Sequence, residues 1–466
     1  MKINRAFILA LVLVLCTGTV SAQAAPSGSS AASQLWKIQL FTSGLANIKN
    51  LSTAFVGDQQ IPILSYSLNV TGDHYIYYAH PATTAAPGNC GPNNSWHCAK
   101  YWFGNLVPGT LSPINASQTA DKHILLQWAF QTVDMIRGTV IELTPDMNYY
   151  SLTQGDLLDL SNFGGELVGT PTLGFEGGRL QMAATISDNS DLYGYKLVYM
   201  NYTILANSSC LVDPVHYFCA VIDQSNGQNS MGTASLQVAP DGADGIAYTK
   251  YGDLMFAYFH MSSTQVPSDC GLNGETFTWR CISIFTGSGT SVVGNELKHA
   301  VGLTGSNRAI AFTFGSTSFG KYLMHATFVG SGGNCGTDLD YLGNSIDMWS
   351  CNLLVFLGKL DRSFSIAIDP QGYSVIAYEY ATEDLAPVGL YLGFPKARAG
   401  MADSGWMEQR IDLAPTDTVT TGALASLSIN SVGAGFIGYL QEEESELPNL
   451  KIAWQYFRIY LPLIRR

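Results

Sequence analysis

The chain has 466 residues, 13% of them charged and 47% hydrophobic, so it can bury a large core and is not a disordered polymer. Its formal charge of −13 argues against nucleic acid or an anionic membrane as a partner. Forty-seven glycines punctuate runs rich in Tyr, Val and Ile, and no helix-period segment follows the N-terminus, which is the pattern of an all-β chain.

In chain order, residues 1–24 read as a signal peptide. Lys2 and Arg5 precede an apolar run from Phe7 to Leu15 that is too short to span a bilayer, and Val20-Ser21-Ala22 and Ala22-Gln23-Ala24 are small-residue cleavage sites. No other segment of the mature chain reads as transmembrane. Cys16 falls within the signal, and the residue before it, Leu15, does not fit a lipoprotein box. Residues 25–34, rich in Ala, Ser and Gly, form a flexible leader.

Two short signatures then recur through residues 35–455. The first is an aromatic residue opening a β-like run, with a cysteine or its replacement two residues on: Trp36, Trp96, Tyr217, Trp279, Trp349 and Trp406, with a degenerate seventh near Tyr149-Tyr150. The second is a strand ending on a large residue, as in Gly245-Ile246-Ala247-Tyr248, Ala309-Ile310-Ala311-Phe312, Val375-Ile376-Ala377-Tyr378 and Phe436-Ile437-Gly438-Tyr439. These four anchors are 64, 66 and 61 residues apart. Tyr66 is an earlier anchor, and Trp128 and Thr185 fill the gap it leaves before Tyr248, giving seven. A fixed period of this length marks a repeat architecture.

One unit shows the content of the repeat. Ala234–Val238 is a strand, Pro240-Asp241-Gly242 a turn, Gly245–Tyr248 a second strand, Leu254–Phe259 a third, and Arg280–Phe285 a fourth after a long loop. Four antiparallel strands per unit make one propeller blade, and blades stacked in a ring cover one another's faces. Trp36–Thr42 resembles a fourth strand and precedes any first strand, so it completes the last blade beside Leu450–Trp454. The fold expected is therefore all-β: a seven-bladed β-propeller of four-stranded antiparallel blades, the last closed by an N-terminal strand. The mature chain resembles the broad class of exported bacterial β-propellers. It lacks the sialidase Asp-box, although Asp369-x-x-Gly372 resembles that motif's turn.

Outside the signal the cysteines form four local pairs, each at the same place in its unit: Cys90 with Cys98, Cys210 with Cys219, Cys270 with Cys281, and Cys335 with Cys351. An even count in an exported chain predicts disulfides, and without C-x-x-C or a histidine cluster a structural metal is disfavoured. The aromatic residue before each second cysteine is expected to pack between blades.

The candidate binding residues are Glu379, Glu383 and Asp384 after one second strand, and Glu442 and Glu443 after the next. Blade topology brings these loops to one face. Clustered carboxylates there form a solvated rim, hold Ca²⁺ or a basic ligand, or act as an acid–base pair. No resident cofactor is otherwise expected. The histidines are scattered, no G-x-S-x-G elbow occurs, and Arg137 and Arg362 are the only arginines placed near one face. Residues 456–466, ending Tyr460-Leu461-Pro462-Leu463-Ile464-Arg465-Arg466, form a tail similar to short sorting tails of some exported proteins, or one more strand.

The functional reading is a secreted or surface-associated, monomeric, non-catalytic propeller that binds an extracellular protein or glycan. The alternative is an extracellular polysaccharide hydrolase or lyase with carboxylates at the channel mouth.

Overall fold

The computed structural model describes residues 36–455 apart from turn and loop segments, the longest being 188–192, 203–216, 260–269, 271–278 and 381–387. Among the described residues the strands form seven sheets, each antiparallel, arranged as the blades of a propeller. Blade 1 comprises Ile48–Val56, Ile61–Val70, Asp73–Pro81 and Trp96–Trp102. Blade 2 spans residues 115–159, blade 3 residues 167–226, blade 4 residues 235–285, blade 5 residues 292–358, blade 6 residues 364–413 and blade 7 residues 419–455. Blade 7 has only three strands of its own. Trp36–Thr42 is its fourth, pairing antiparallel with Asn449–Gln455 from Trp36 opposite Gln455 to Thr42 opposite Leu450.

Second strands sit at the centre of each sheet and carry the anchors. In Asp244–Lys250 the five residues from Gly245 to Thr249 are all buried, because neighbouring blades cover both faces. The turns follow local chemistry. Tyr251 and Gly252 both take positive φ (58° and 80°), as a two-residue hairpin turn requires. Gly242 and Gly372 close equivalent first turns with positive φ of 83° and 89°.

The expected interblade role of the Trp-x-Cys aromatics holds. Each tryptophan meets the third strand of the preceding blade: Trp96 on Trp454 at 5.4 Å, Trp279 on Tyr199 at 4.8 Å, Trp349 on Phe256 at 5.1 Å and Trp406 on His325 at 4.8 Å between ring centroids. Trp96, Trp279 and Trp349 are almost wholly buried.

Disulfides join Cys90 to Cys98, Cys270 to Cys281 and Cys335 to Cys351. Cys219 is also disulfide-bonded, and Cys210 lies outside the described residues. A motif not noticed in the sequence surrounds two of the bridges, Gly-Asn-Cys-Gly at 88–91 and 333–336. In each, the asparagine amide donates to the carbonyl of the second cysteine, and that cysteine's N–H donates back to the amide oxygen. The distances are 2.9 and 2.6 Å for Asn89 and 3.1 and 2.7 Å for Asn334. The glycine after the first cysteine lies against the tryptophan ring, where a Cβ would come within 2.9 Å of Trp96 or 2.4 Å of Trp349.

Two features of the ring were not expected. First strands of blades 1, 3, 5 and 7 carry register shifts, at Lys49/Ser52, Val168/Thr172, Val293/Leu297 and within Thr421–Ser426. Next to these shifts the first strands are clasped across blade boundaries. Ile114 N–H donates to Ser52 Oγ (3.0 Å), Leu236 N–H to Thr172 Oγ1 (2.8 Å), Leu427 N–H to Ser365 Oγ (3.0 Å) and Thr53 N–H to Ser426 Oγ (2.9 Å). Blades 2 and 3 are joined instead by Asn115 Nδ2 donating to Leu173 O (3.2 Å), and blades 4 and 5 by His299 Nδ1 donating to Ser235 O (3.3 Å). An inner-strand N–H has no partner within its own blade on the channel side, so a hydroxyl from the next blade meets an otherwise unmet donor.

Candidate functional site: a pocket between blades 4 and 5

Antiparallel topology sends the first turn and the third-to-fourth loop of every blade to one face, which therefore carries the disulfide loops. The second-to-third turns lie on the other face. The candidate acidic residues belong to that second face. Glu379, expected in a loop, is the sixth residue of the strand Ser374–Tyr380 and is only 7% exposed. Its N–H donates to Ser363 O at 3.0 Å, and its carboxylate accepts from Ser363 N–H at 3.4 Å. Glu442 and Glu443 end the strand Gly435–Glu443, opposite Thr420 and Val419, with Glu443 exposed. Glu383 and Asp384 lie outside the described residues. Among the described residues no group of three or more His, Cys, Asp or Glu side chains is placed to hold a metal ion.

The central channel is lined by first strands from all seven blades, and its two contiguous cavities measure about 260 and 390 Å³. Of the described residues that line it, Glu296 is the only carboxylate, and it pairs with Lys298 at 3.3 Å. On blade 2, His123 Nδ1 meets Glu142 Oε1 at 2.6 Å and Ser151 Oγ donates to Glu142 Oε2 at 2.9 Å. The serine bonds the carboxylate, not the imidazole, so in this cluster the histidine is not placed as a base for the serine. His97, in the strand Trp96–Trp102, donates from Nδ1 to Pro87 O at 3.0 Å; His216 lies outside the described residues. Arg137 pairs with Asp156 at 2.5 Å on the outer part of blade 2, and Arg362 lies outside the described residues.

The most built site on the disulfide face is a cavity of about 350 Å³ between blades 4 and 5. Phe256, Tyr258, Phe259, Phe328 and Trp349 supply aromatic walls, and among the described residues Asp244 and Arg308 are the lining residues charged at neutral pH. The repeat sets blade 4 apart beside this cavity. The position three residues before each anchor is Ile63, Leu125, Met182, Gly245, Ala309, Val375 and Phe436. Only blade 4 has glycine. In blade 7 the equivalent Phe436 fills the interblade space, stacked 6.0 Å from Trp96. At Gly245 the guanidinium of Arg308, entering from blade 5, and the Phe256 ring take up that space instead.

Each polar member of the pocket is held in place. Arg308 is 5% exposed, its Nε donates to Gly305 O at 2.5 Å, and its guanidinium lies 5.7 Å from the Phe256 ring centroid. Burial pulls its pKa down to about 10, against the opposing pull of Asp244 and Asp241, so it remains a cation at neutral pH. Asp244 Oδ2 accepts from Tyr199 OH at 2.6 Å, and Asp241 accepts from Gly305 N–H at 2.8 Å. Tyr258 OH donates to Asp338 Oδ2 at 2.6 Å, and Asp338 also forms a buried ion pair with Arg280. Asp338 belongs to a fifth strand, Cys335–Leu339, found among the described residues in blade 5 alone. The Cys335–Cys351 bridge and the Arg280–Asp338 pair together fix this hairpin across the outer strand of blade 4, beside the pocket.

Sequence reasoning missed the pocket. The available signals were the lone glycine among the seven pre-anchor positions and an arginine, Arg308, immediately before the next pre-anchor residue.

No protein-family model matches the chain, and no curated protein matches it in sequence. Solved structures similar to it include the fucose-specific lectin from Aleuria aurantia, with 10% identity, a TM-score of 0.38, and coverage of 82% of this chain and 98% of that one. The polysaccharide lyase Uly1 is similar at 9% identity and a TM-score of 0.45, covering 93% and 94%. The GH93 alpha-L-arabinofuranosidase of Fusarium graminearum is similar at 7% identity and a TM-score of 0.38, covering 90% and 97%. The seven-bladed ring rests on the strand pairing given above and owes nothing to these neighbours.

Proposed function

We propose that the protein is a secreted or surface-held, non-catalytic propeller that binds a glycan, with the pocket between blades 4 and 5 as its site. The observation that carries this reading is the cavity of about 350 Å³ between blades 4 and 5, walled by aromatic rings and bordered by Asp244 and Arg308. A concave, mostly apolar cleft with few convergent polar groups suits a small ligand unit better than a flat protein partner, whose footprint is larger. The disulfides agree with an oxidising, extracellular compartment. Against the rival hydrolase or lyase, the described channel lining offers one carboxylate where paired acid–base chemistry needs two.

The test is a glycan array with the mature protein, followed by titration of the hits with two variants. Phe328→Ala removes one wall ring, and Phe259→Ala removes a rim ring that is 45% exposed and so spares the core. Binding should fall at least about tenfold in both. Undiminished binding in both variants, or shortened or unsaturated oligosaccharide products from wild type, would overturn the reading.

A further inference from the structure

We infer that the protein self-associates through the outer edge of blade 2, in place of the monomer expected from the sequence. Two copies pair antiparallel along residues 151–155, and their four-stranded blades join into one sheet. The inference does not rest on the glycan reading.

A sheet edge carries unpaired N–H and C=O groups and is a template for another strand unless something covers it. Three blades cover theirs with the connection between third and fourth strands. In blade 1, Cys90 pairs with Trp96, and Asn89 occupies both backbone groups of Cys98. In blade 5 the strand Cys335–Leu339 runs beside the start of the fourth strand, and Asn334 occupies Cys351 in the same way. In blade 4, Cys270 pairs with Trp279. The Gly-Asn-Cys-Gly motif therefore closes a sheet edge as well as holding a bridge. Blade 6 carries Glu408, Arg410 and Asp412 along its fourth strand, and the strand that closes blade 7 has a register shift between Leu40 and Thr42; both features discourage pairing.

Blade 2 has no such cover along residues 151–155. It contains no cysteine, and residues 144–148 alone join its third and fourth strands. Its fourth strand, Tyr149–Asp159, is eleven residues long, and among the described residues nothing pairs with the outer edge. Residues 151–156 pair with residues 142–137 of the third strand without a register shift, so this part of the edge is regular. Leu152 is 39% exposed, and Thr153, Gln154 and Gly155 are exposed beside it. A Cβ on Gly155 would meet nothing within 4 Å.

Charge selects a second copy as the occupant. The chain carries −13, so two copies repel wherever charged surfaces meet. Residues 151–155, Ser-Leu-Thr-Gln-Gly, carry no charge. A basic partner strand would find no carboxylate among them. Antiparallel pairing centred on Thr153 sets Thr153 against its own copy, Leu152 against Gln154, and Ser151 against the open Gly155. Threonine pairs stabilise adjacent strands, and the uncharged residues meet only one another. A two-fold contact of this kind closes at two copies.

The experiment is sedimentation equilibrium of the full mature chain, disulfides intact, from about 1 to 200 µM. A contact this small should give a reversible dimer in the micromolar range. Raising NaCl from about 20 to 500 mM should strengthen it at least about threefold, because salt screens the repulsion between the two copies. Thr153→Lys and Thr153→Glu change an exposed side chain and should keep the wild-type melting temperature at the lowest concentration. Each alone should associate at least about tenfold more weakly than wild type. An equimolar mixture of the two should recover the dimer, since Lys then faces Glu. Wild-type monomers at every concentration would overturn the inference. So would a dimer that Thr153→Lys leaves intact, or a mixture that fails to recover association.

Discussion

Arg308 of blade 5 reaches into blade 4 at the one point where Gly245 leaves room for it; a Cβ on Gly245 would stand 2.5 Å from Arg308 Nη1 and 2.6 Å from the Phe256 ring. The buried cation thus has one cause, the absence of a side chain at one of seven equivalent positions.

Ring closure depends on Trp36–Thr42. Deleting residues 1–33 should leave the melting temperature unchanged, whereas a chain starting at Gly44 loses the fourth strand of blade 7 and should melt far lower. Trp36→Ala, which removes a ring that is 6% exposed, should cost about 3–5 kcal/mol in denaturant titrations. Coincident melting of the two truncations would refute closure by this strand.

The hydroxyl clasps should show as individual stability terms. Ser52→Ala leaves the buried Ile114 N–H without its acceptor and should cost about 1–3 kcal/mol, and Ser426→Ala, which strands the half-buried Thr53 N–H, should cost about 1 kcal/mol. Hydrogen exchange should speed up at Ile114 or Thr53 in the corresponding variant. Unchanged exchange there would mean that water replaces the hydroxyl and the clasp contributes nothing.

The blade 5 hairpin is held by two independent ties. Non-reducing peptide mapping should return Cys90–Cys98, Cys210–Cys219, Cys270–Cys281 and Cys335–Cys351. Replacing Cys335 and Cys351 by alanine should cost about 2–4 kcal/mol. Asp338→Asn strands the buried Arg280 and should cost about 3–5 kcal/mol. Both changes should also weaken ligand binding at the neighbouring pocket. Full affinity in both would separate the hairpin from the site.

Mild acid should destabilise the ring through three buried histidines. Burial lowers the pKa of His80 to about 4, and of His299 and His325 to about 3, so all three stay neutral when folded at mildly acidic pH. Unfolded, they protonate near pH 6.5, so the unfolded chain binds more protons and stability falls as pH drops below that value. At pH 5 each contributes a loss of about 2 kcal/mol, on the order of 6 kcal/mol for the three. Urea titrations at pH 7 and pH 5 measure this directly, and His325→Gln should remove about a third of the difference. A pH-independent midpoint over this range would rule the mechanism out.

The periodicity of anchors and Trp-x-Cys aromatics was enough to define the ring, its seven blades, the closing strand and the local disulfides. These follow from covalent order and from side-chain size repeated at a fixed spacing, both of which a sequence displays. Even the role of the tryptophans was legible, because an aromatic on a strand covered on both faces has only a neighbouring blade to pack against. The first-strand register shifts and the clasps were not legible, since they depend on which backbone N–H of one blade faces which hydroxyl of the next. Nor was the fate of Glu379: in sequence it reads as a loop carboxylate, but the strand extends to Tyr380 and ties it to Ser363. The pocket belongs wholly to the tertiary structure. Asp244, Phe256, Arg308 and Trp349 are spread over about a hundred residues, and only the packing of blade 5 against blade 4 brings them around a single cavity.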